Sequence, residues 1–137
     1  MVVKDFMTKK VSLISPEDTI YDVATKMKEQ DAGAMFVSEN DKLIGVITDR
    51  DIVIRAITKG QEFGMTKVRD VMTPKVLYCY EDDSIEDVAQ NLANNQVRRM
   101  PVMNQDKRLV GVVSLGDICL NDKNCAAAAM EKICKRS

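Results

Sequence analysis

The stretch that decides the fold is Gly45–Ile52, GVITDRDI, which has a counterpart at Gly111–Ile118, GVVSLGDI. Each stretch runs from β-branched apolar residues into a Thr or Ser, and an Asp follows three residues later. Because the chain contains this pattern twice, an internal repeat determines the architecture before any single residue is considered.

The repeat extends over most of the 137 residues and keeps a nearly constant spacing. Met7 matches Met72, 65 residues later, and after one extra residue near Arg108 the spacing becomes 66. A hairpin loop tolerates such an insertion. The matched pairs include Asp5/Asp70, Thr8/Thr73, Lys10/Lys75, Ile20/Ile85, Asp22/Asp87, Met35/Met100, Val37/Val102, Gly45/Gly111 and Asp51/Asp117. We therefore divide the chain into residues 1–60 (copy one), 61–65 (connector), 66–121 (copy two) and 122–137 (a helical C-terminal tail without counterpart, suited to dimer or partner contact).

Each copy predicts the order strand, helix, strand, strand, helix. Apolar residues at i, i+3, i+4 and i+7 mark the first helix of each copy, which opens at Thr19 or Ser84, and a polar turn joins the two strands that follow it. Short units bury little core alone, so we expect an α/β (α+β) fold in which two β-α-β-β-α repeats pack with pseudo-two-fold symmetry into one globule. The predicted strands are Val11–Ile14, Ala34–Ser38, Leu43–Ile47, Val76–Tyr78, Arg99–Met103 and Leu109–Val113.

Composition, charge and sequence pattern argue against several classes of protein. The 20 basic and 21 acidic residues nearly cancel, which argues against nucleic acid or an anionic membrane as the partner. No apolar run approaches the ~20 residues of a membrane helix, and the N-terminus lacks a signal-peptide core, so we expect a cytoplasmic protein. Four cysteines without a CxxC pair, and no histidine, disfavour zinc. Reduced thiols are expected, while a disulfide among the last three cysteines stays open.

The strand-to-helix corners at Thr48–Asp51 and Ser114–Asp117 allow two interpretations. Capping alone explains them, because Thr and Ser are good N-caps and a carboxylate three residues on complements the helix dipole. Alternatively, the hydroxyl, the carboxylate and the backbone N–H groups bind ribose and phosphate at a sheet edge. Two facing corners would then frame a cleft between the copies.

Cations occupy complementary positions in the two copies. Arg98 and Arg99 precede the strand at Met100, where copy one has Gly33 and Ala34, and Arg50 has Gly116 as its counterpart. These arginines are either solvated surface charges or phosphate ligands, for which the guanidinium fork is well suited.

The repeat resembles a tandem pair of CBS (cystathionine β-synthase) domains, the Bateman module. The resemblance rests on DFMTKKV and DVMTPKV, TIYDVATKM and SIEDVAQNL, VRRMPV, and the two corner stretches, and it covers about residues 1–120. With no enzyme or channel domain in the sequence, the chain is most similar to stand-alone bacterial or archaeal CBS-pair proteins.

The resemblance implies clefts for adenosine-containing ligands, namely AMP, ADP or ATP, or else NAD or S-adenosylmethionine. It also implies a homodimer, and it requires no cofactor. Carried over by position, the ligand-binding residues are Thr48 and Ser114 (ribose or phosphate), Asp51 and Asp117 (ribose), Ala34, Met35, Val97 and Arg98 (backbone to adenine), and Arg50, Arg98 and Arg99 (phosphate).

The leading hypothesis is a regulatory sensor that binds an adenine nucleotide, performs no catalysis and acts on an unidentified protein. An enzyme is disfavoured because the sequence has no histidine, no GxSxG and no Walker loop. A nucleic-acid adaptor is disfavoured by the charge balance and by the few aromatic residues. An interaction or oligomerisation adaptor without nucleotide is the remaining alternative.

Overall fold

The structure is a computed structural model that describes residues 1–9 and 11–135. Lys10, one member of a matched pair of the repeat, and residues 136–137 of the predicted tail lie outside the described residues. No described helix is long and apolar enough to cross a membrane.

The chain forms two compact units whose boundaries cut across the repeat. Unit 1 contains Met1–Val11 and Leu77–Ser137, and unit 2 contains Ser12–Val76. The opening segment of copy one therefore lies in the unit built from the rest of copy two, and the opening segment of copy two lies in the unit built from copy one. The division at residues 60, 65 and 121 therefore describes the sequence repeat, whereas the compact units have different boundaries.

Equivalent backbone hydrogen bonds hold the two exchanged segments. In unit 1, the Thr8 and Val112 amides each donate to the other's carbonyl, at 2.9 Å. In unit 2, Thr73 and Val46 make the same pair of bonds, at 2.8 and 2.9 Å. Each segment also buries a valine in the core of the unit that it joins: Val3 in unit 1 and Val68 in unit 2 are both fully buried.

A glycine makes each close approach possible. A Cβ atom added to Gly45 would lie 2.8 Å from Met72 Sδ and 2.9 Å from the Thr73 carbonyl oxygen. At Gly111 the corresponding distances are 2.7 Å to Met7 Sδ and 2.8 Å to the Thr8 carbonyl oxygen. The glycine of the repeated stretch is therefore explained by the packing of the exchanged segment.

Unit 2 has a three-stranded sheet in the order β1-β2-β3, with β1 parallel and β3 antiparallel to β2. Its helix α1 begins after Thr19, whose Oγ1 accepts the Asp22 amide at 3.2 Å. The elements are β1 (Leu13–Ile14), α1 (Ile20–Gln30), β2 (Ala34–Glu39), β3 (Lys42–Thr48) and α2 (Asp49–Asp51), which continues as a π-helical segment (Ile52–Ala56) and a 3-10 turn (Ile57–Lys59). The predicted helix from Thr48 to Gly60 is thus present with changes in helical geometry.

Unit 1 repeats this sheet in the order β4-β5-β6. The elements are β4 (Cys79–Tyr80), α3 (Ile85–Asn95), β5 (Arg99–Met103), β6 (Leu109–Ser114), α4 (Leu115–Asn121) and α5 (Lys123–Cys134). Asp122 separates α4 from α5, because its extended backbone ends the first helix and its carboxylate caps the second at the Cys125 amide, 3.0 Å away. The tail helix packs on α3 and α4 of its own unit.

The predicted α/β fold class is confirmed, and two strand predictions need correction. The strand predicted at Val76–Tyr78 lies at Cys79–Tyr80, because only these residues pair with Val102 and Met103 of β5. The strand predicted at Val11–Ile14 is limited to Leu13–Ile14, which pair with Phe36 and Val37. The first prediction is displaced along the chain, and the second includes apolar residues that do not reach a neighbouring strand, because an apolar run alone does not fix which of its residues pair.

Candidate functional site at the strand-to-helix corners

Both corners form reciprocal capping boxes. Thr48 Oγ1 accepts the Asp51 amide and Asp51 Oδ2 accepts the Thr48 amide, each at 3.0 Å. The corresponding bonds between Ser114 and Asp117 are 3.1 and 2.9 Å. The hydroxyl and one carboxylate oxygen of each corner therefore already hold the backbone, so the capping interpretation is realised in the structure.

Strand pairing places the predicted arginines beside the Ser114 corner. Arg99 is the direct partner of Ser114 in the β5–β6 ladder, and the Leu115 amide donates to the Arg98 carbonyl at 2.7 Å. This amide belongs to the first residue of α4, so the backbone before β5 is tied to the start of the helix. The arginine pair and the Ser114 hydroxyl, all among the predicted ligand-binding residues, are therefore neighbours in unit 1.

A cavity of about 600 Å³ lies at this corner, within the size range of small-molecule sites. Arginine and lysine side chains line it together with a hydroxyl, a thiol and an apolar wall, and no carboxylate is among its lining residues. These residues are Arg98, Arg99, Ser114, Leu115, Gly116, Cys119, Lys123, Ala126, Ala127 and Met130. An anion with an apolar portion matches this lining.

The cations of the cavity are not neutralised by the protein. Within residues 1–9 and 11–135, the side chains of Arg98, Arg99 and Lys123 form no ion pair and no hydrogen bond. Three positive charges that converge on one cavity without a countercharge raise the local concentration of anions.

The corner of unit 2 has different chemistry. Ala34 is the ladder partner of Thr48, and the Asp49 amide donates to the Gly33 carbonyl at 3.0 Å, so the backbone matches that of unit 1. The Asp49 side chain lies against Gly33, with Oδ2 3.3 Å from the position that a Cβ atom there would take, and its Oδ1 accepts the Arg50 amide at 2.8 Å. A carboxylate therefore occupies the first turn where unit 1 has Leu115.

The predicted site residues divide into three groups. Arg98, Arg99 and Ser114 line the cavity, whereas Asp117 lies at the same corner and is not among the lining residues. Val97 is half-buried and packs against the core of unit 1. In unit 2, the side chain of Met35 is buried in the core, and Ala34, Thr48, Arg50 and Asp51 lie at the other corner and do not line the cavity of unit 1.

A second cavity, of about 350 Å³, lies along α1 in unit 2. Its lining is mainly acidic, which makes it unsuitable for phosphate; the residues are Asp18, Tyr21, Asp22, Thr25, Lys26 and Glu29. It does not reach the Thr48 corner, since no residue of that corner lines it.

Sequence reasoning missed the residues that the tail contributes. Lys123 and Met130 of α5 line the cavity in unit 1, and Cys119 of α4 is a further lining residue that was missed. The alanine-rich run indicates a helix there, but no sequence signal shows where that helix packs.

One group of side chains in the described residues has the composition of a metal site. The ligand atoms of Glu86, Asp122 and Cys125 lie within 4.8 Å of one another. Burial and the hydrogen bond that the Cys125 thiol donates to the Asp122 carboxylate raise the pKa of the thiol, and the hydrogen bond that this carboxylate accepts from the Cys125 backbone amide lowers the pKa of Asp122. Capping of α5 explains the position of Asp122 without a metal.

Comparison with known proteins places the chain in a family. A family model for the CBS domain matches residues 3–57 and 68–122. The CBS domain-containing protein YhcV of Bacillus subtilis is 40% identical over 126 residues, which span 92% of this chain and 89% of YhcV.

Two solved structures are similar over most of the chain. Hypoxic Response Protein I, solved with two coordinated zinc ions, has a TM-score of 0.78 at 30% identity and aligns over 88% of this chain and 98% of its own. CBSX2, solved in complex with AMP, has a TM-score of 0.75 at 27% identity and aligns over 90% of this chain and 96% of its own. With two family matches in tandem, the chain belongs to the CBS-domain family.

Proposed function

We propose that the chain is a regulatory module that binds an adenosine-containing nucleotide of the AMP, ADP or ATP class in the cavity of unit 1 and performs no catalysis of its own. The cavity carries the proposal, because Arg98, Arg99 and Ser114 converge there on about 600 Å³ of space without a lining carboxylate. The AMP complex of the related CBSX2 supports the ligand class.

Each part of the ligand has a matching part of the cavity. The guanidinium groups of Arg98 and Arg99 bind phosphate, and the Ser114 hydroxyl contacts ribose or phosphate. Leu115 and Met130 supply apolar surface for the base. Asp117 lies at the same corner, beside the cavity lining, and keeps the Ser114 backbone in place through Oδ2. Its Oδ1 makes no hydrogen bond to a described residue and is the oxygen that we assign to ribose.

Binding regulates by favouring one conformation over another, since a ligand shifts an equilibrium only through its different affinities for the two states. The regulated partner is a protein that recognises one of those states. NAD and S-adenosylmethionine are competing ligands, which a panel of nucleotides in the same assay distinguishes from AMP, ADP and ATP.

The cysteines provide a direct test of occupancy. Cys119 lines the cavity and is exposed, Cys134 is exposed elsewhere on α5, and Cys79 is buried. Burial raises the pKa of the Cys79 thiol to about 12, so it stays protonated and reacts slowly. We expect saturating AMP to slow the alkylation of Cys119 by iodoacetamide, measured by mass spectrometry, and to leave Cys134 unchanged. Equal rates at Cys119 with and without AMP, ADP or ATP would contradict the proposal.

A second observation favours self-association. Unit 2 exposes apolar side chains in the helical segments that follow α2, with 47% of Val53, 50% of Ile54 and 48% of Ile57 accessible. We propose that a second copy of the chain covers this surface in a homodimer. Val53→Glu with Ile57→Glu is expected to yield a monomer in analytical ultracentrifugation, whereas Thr58→Glu, an exposed neighbour, is expected to leave the dimer intact. A monomeric wild-type protein at micromolar concentration would exclude the homodimer.

A further inference from the structure

The C-terminal helix is firmly attached to unit 1 although it lies outside the family match. The second match ends at residue 122, and α5 begins at Lys123. Ala126, Ala129 and Ile133 of α5 are buried in the core of unit 1, which also contains Ala89 and Ala93 of α3. Small side chains on both helices allow their backbones to approach closely, so α5 forms a fixed wall.

One face of α5 forms a large part of the cavity lining. Lys123, Ala126, Ala127 and Met130 all line the cavity, and their spacing of i, i+3, i+4 and i+7 places them on one side of the helix. The neighbouring Ala128 is exposed and does not line it. Along α5, the side that lines the cavity therefore begins with the Lys123 cation and continues with apolar side chains.

Lys123 adds a third positive charge to those of Arg98 and Arg99. It belongs to the tail, which has no counterpart in copy one, so the repeat supplies no equivalent of this cation in unit 2. A single phosphate monoester carries about −1.5 to −2 charges at pH 7. Three cations without a lining carboxylate therefore exceed the charge of one phosphate group, and a ligand with further phosphates matches them better.

We infer that α5 makes the cavity selective for an adenosine ligand with two or more phosphates, with Lys123 as the residue that determines this preference. The inference rests on the proposed nucleotide function and adds the phosphate number to it. In this arrangement Arg98 and Arg99 contribute to the binding of every adenine nucleotide, whereas Lys123 contributes only when a second phosphate is present.

Titration calorimetry with AMP and ADP, without divalent cations, tests the selectivity. We expect wild-type protein to bind ADP more tightly than AMP, and Lys123→Gln to weaken ADP binding by about tenfold while AMP affinity changes little, since a charged hydrogen bond to phosphate is lost. Lys135→Gln removes the same charge from the end of α5, away from the cavity, and is expected to keep the preference.

A second pair of variants tests the wall independently of Lys123. Ala127→Glu places a carboxylate on the cavity face and is expected to weaken ADP binding by at least about tenfold through like-charge repulsion. Ala128→Glu makes the same substitution one residue further along, on a side chain outside the cavity lining, and is expected to have little effect. Circular dichroism melting shows that each variant is folded.

The outcomes separate this inference from the proposed function. If the wild-type protein binds AMP and ADP equally, or if Lys123→Gln weakens both equally, nucleotide binding stands and selection by α5 is wrong. If Ala127→Glu and Ala128→Glu behave alike, α5 is not a wall of the ligand site. If the wild-type protein binds neither nucleotide, the proposed function itself is wrong.

Discussion

The two strand-to-helix corners share a backbone and differ in chemistry. At both, a reciprocal capping box joins the strand to the helix, and the first helical amide donates to the carbonyl of the residue before the first strand of the hairpin, β2 or β5. Four counterpart positions then diverge, with Gly33, Ala34, Asp49 and Arg50 in unit 2 and Arg98, Arg99, Leu115 and Gly116 in unit 1. The Asp49 carboxylate is present only at the corner of unit 2, and the arginine pair only at the corner of unit 1.

In both units the Thr/Ser-x-x-Asp pattern serves the fold, and in our proposal the residues around it determine the ligand chemistry. The pattern caps a helix equally well in both units, so its presence alone does not distinguish a binding corner from a structural one. In our proposal, the arginine pair at the start of β5 and the wall that α5 adds make the Ser114 corner an anion site.

The largest effect that we expect is on ligand affinity at the arginine pair. Arg98→Gln with Arg99→Gln is expected to weaken AMP binding by roughly 100-fold or more, because each hydrogen bond to a charged group contributes about 1.5–3 kcal/mol. Arg50→Gln, at the other corner, is expected to change affinity little. Titration calorimetry measures both.

Adenosine provides the control for this comparison. It lacks phosphate, so its affinity is expected to fall less than that of AMP in the double variant. Equal losses for AMP and adenosine would show that the arginines do not face phosphate, and a large loss in Arg50→Gln would remove the distinction between the two corners.

The next effect is on stability and is shared by both units. Gly45→Ala and Gly111→Ala each force a methyl group against a backbone carbonyl of the exchanged segment, and overpacking of this kind costs about 1–3 kcal/mol. Gly64→Ala is the matched control, because no atom lies within 4 Å of its added Cβ. Urea denaturation measures the free energies of unfolding. If all three variants were equally stable, the close approach of the exchanged segments would be wrong.

Substitution of the capping aspartates is expected to affect both stability and ligand affinity. Asp51→Ala and Asp117→Ala each remove the carboxylate that holds a cap, and each is expected to cost about 1 kcal/mol of stability. Only Asp117→Ala is also expected to weaken AMP binding, because its corner faces the arginine pair. Thermal melts and calorimetry of the two variants separate the shared role from the specific one, and unchanged affinity in both would assign the aspartates to capping alone.

The smallest effect concerns the ion pairs that hold the exchanged segments. Glu17 pairs with Lys67 at 2.6 Å and with Arg69 at 2.8 Å in unit 2, whereas the counterpart in unit 1 is one Lys4–Asp82 pair at 3.6 Å. Hydrogen bonds from Lys67 and Arg69 lower the pKa of Glu17. Its contribution to stability is therefore present above the ordinary pKa of a glutamate and is lost as the pH falls through the lowered pKa.

We expect Glu17→Gln to melt slightly below wild type at neutral pH, and the difference to disappear in acid. Because the pair is exposed, the effect is small. Asp82→Asn is expected to have a still smaller effect. A difference between Glu17→Gln and wild type that grows as the pH falls would contradict this sign.

Local signals in the sequence predicted much of the fold. Hydrophobic periodicity located α1 and α3, the polar turns located both hairpins, and N-caps at Thr19, Thr48, Ser84 and Ser114 begin helices as predicted. The adjacency of Arg99 and Ser114 also follows from hairpin pairing. These features depend on residues close together in the chain, whose preferences a single sequence displays.

The tertiary structure alone decided two matters. The opening segments of the copies are so similar that either could pair with either sheet, and only packing places Thr8 beside Val112 and Thr73 beside Val46. The sequence of α5 favours a helix wherever it packs. Its contact with α3 places Lys123 and Met130 in the same cavity lining as the two arginines. Both outcomes depend on contacts between residues far apart in the chain, which local patterns do not encode.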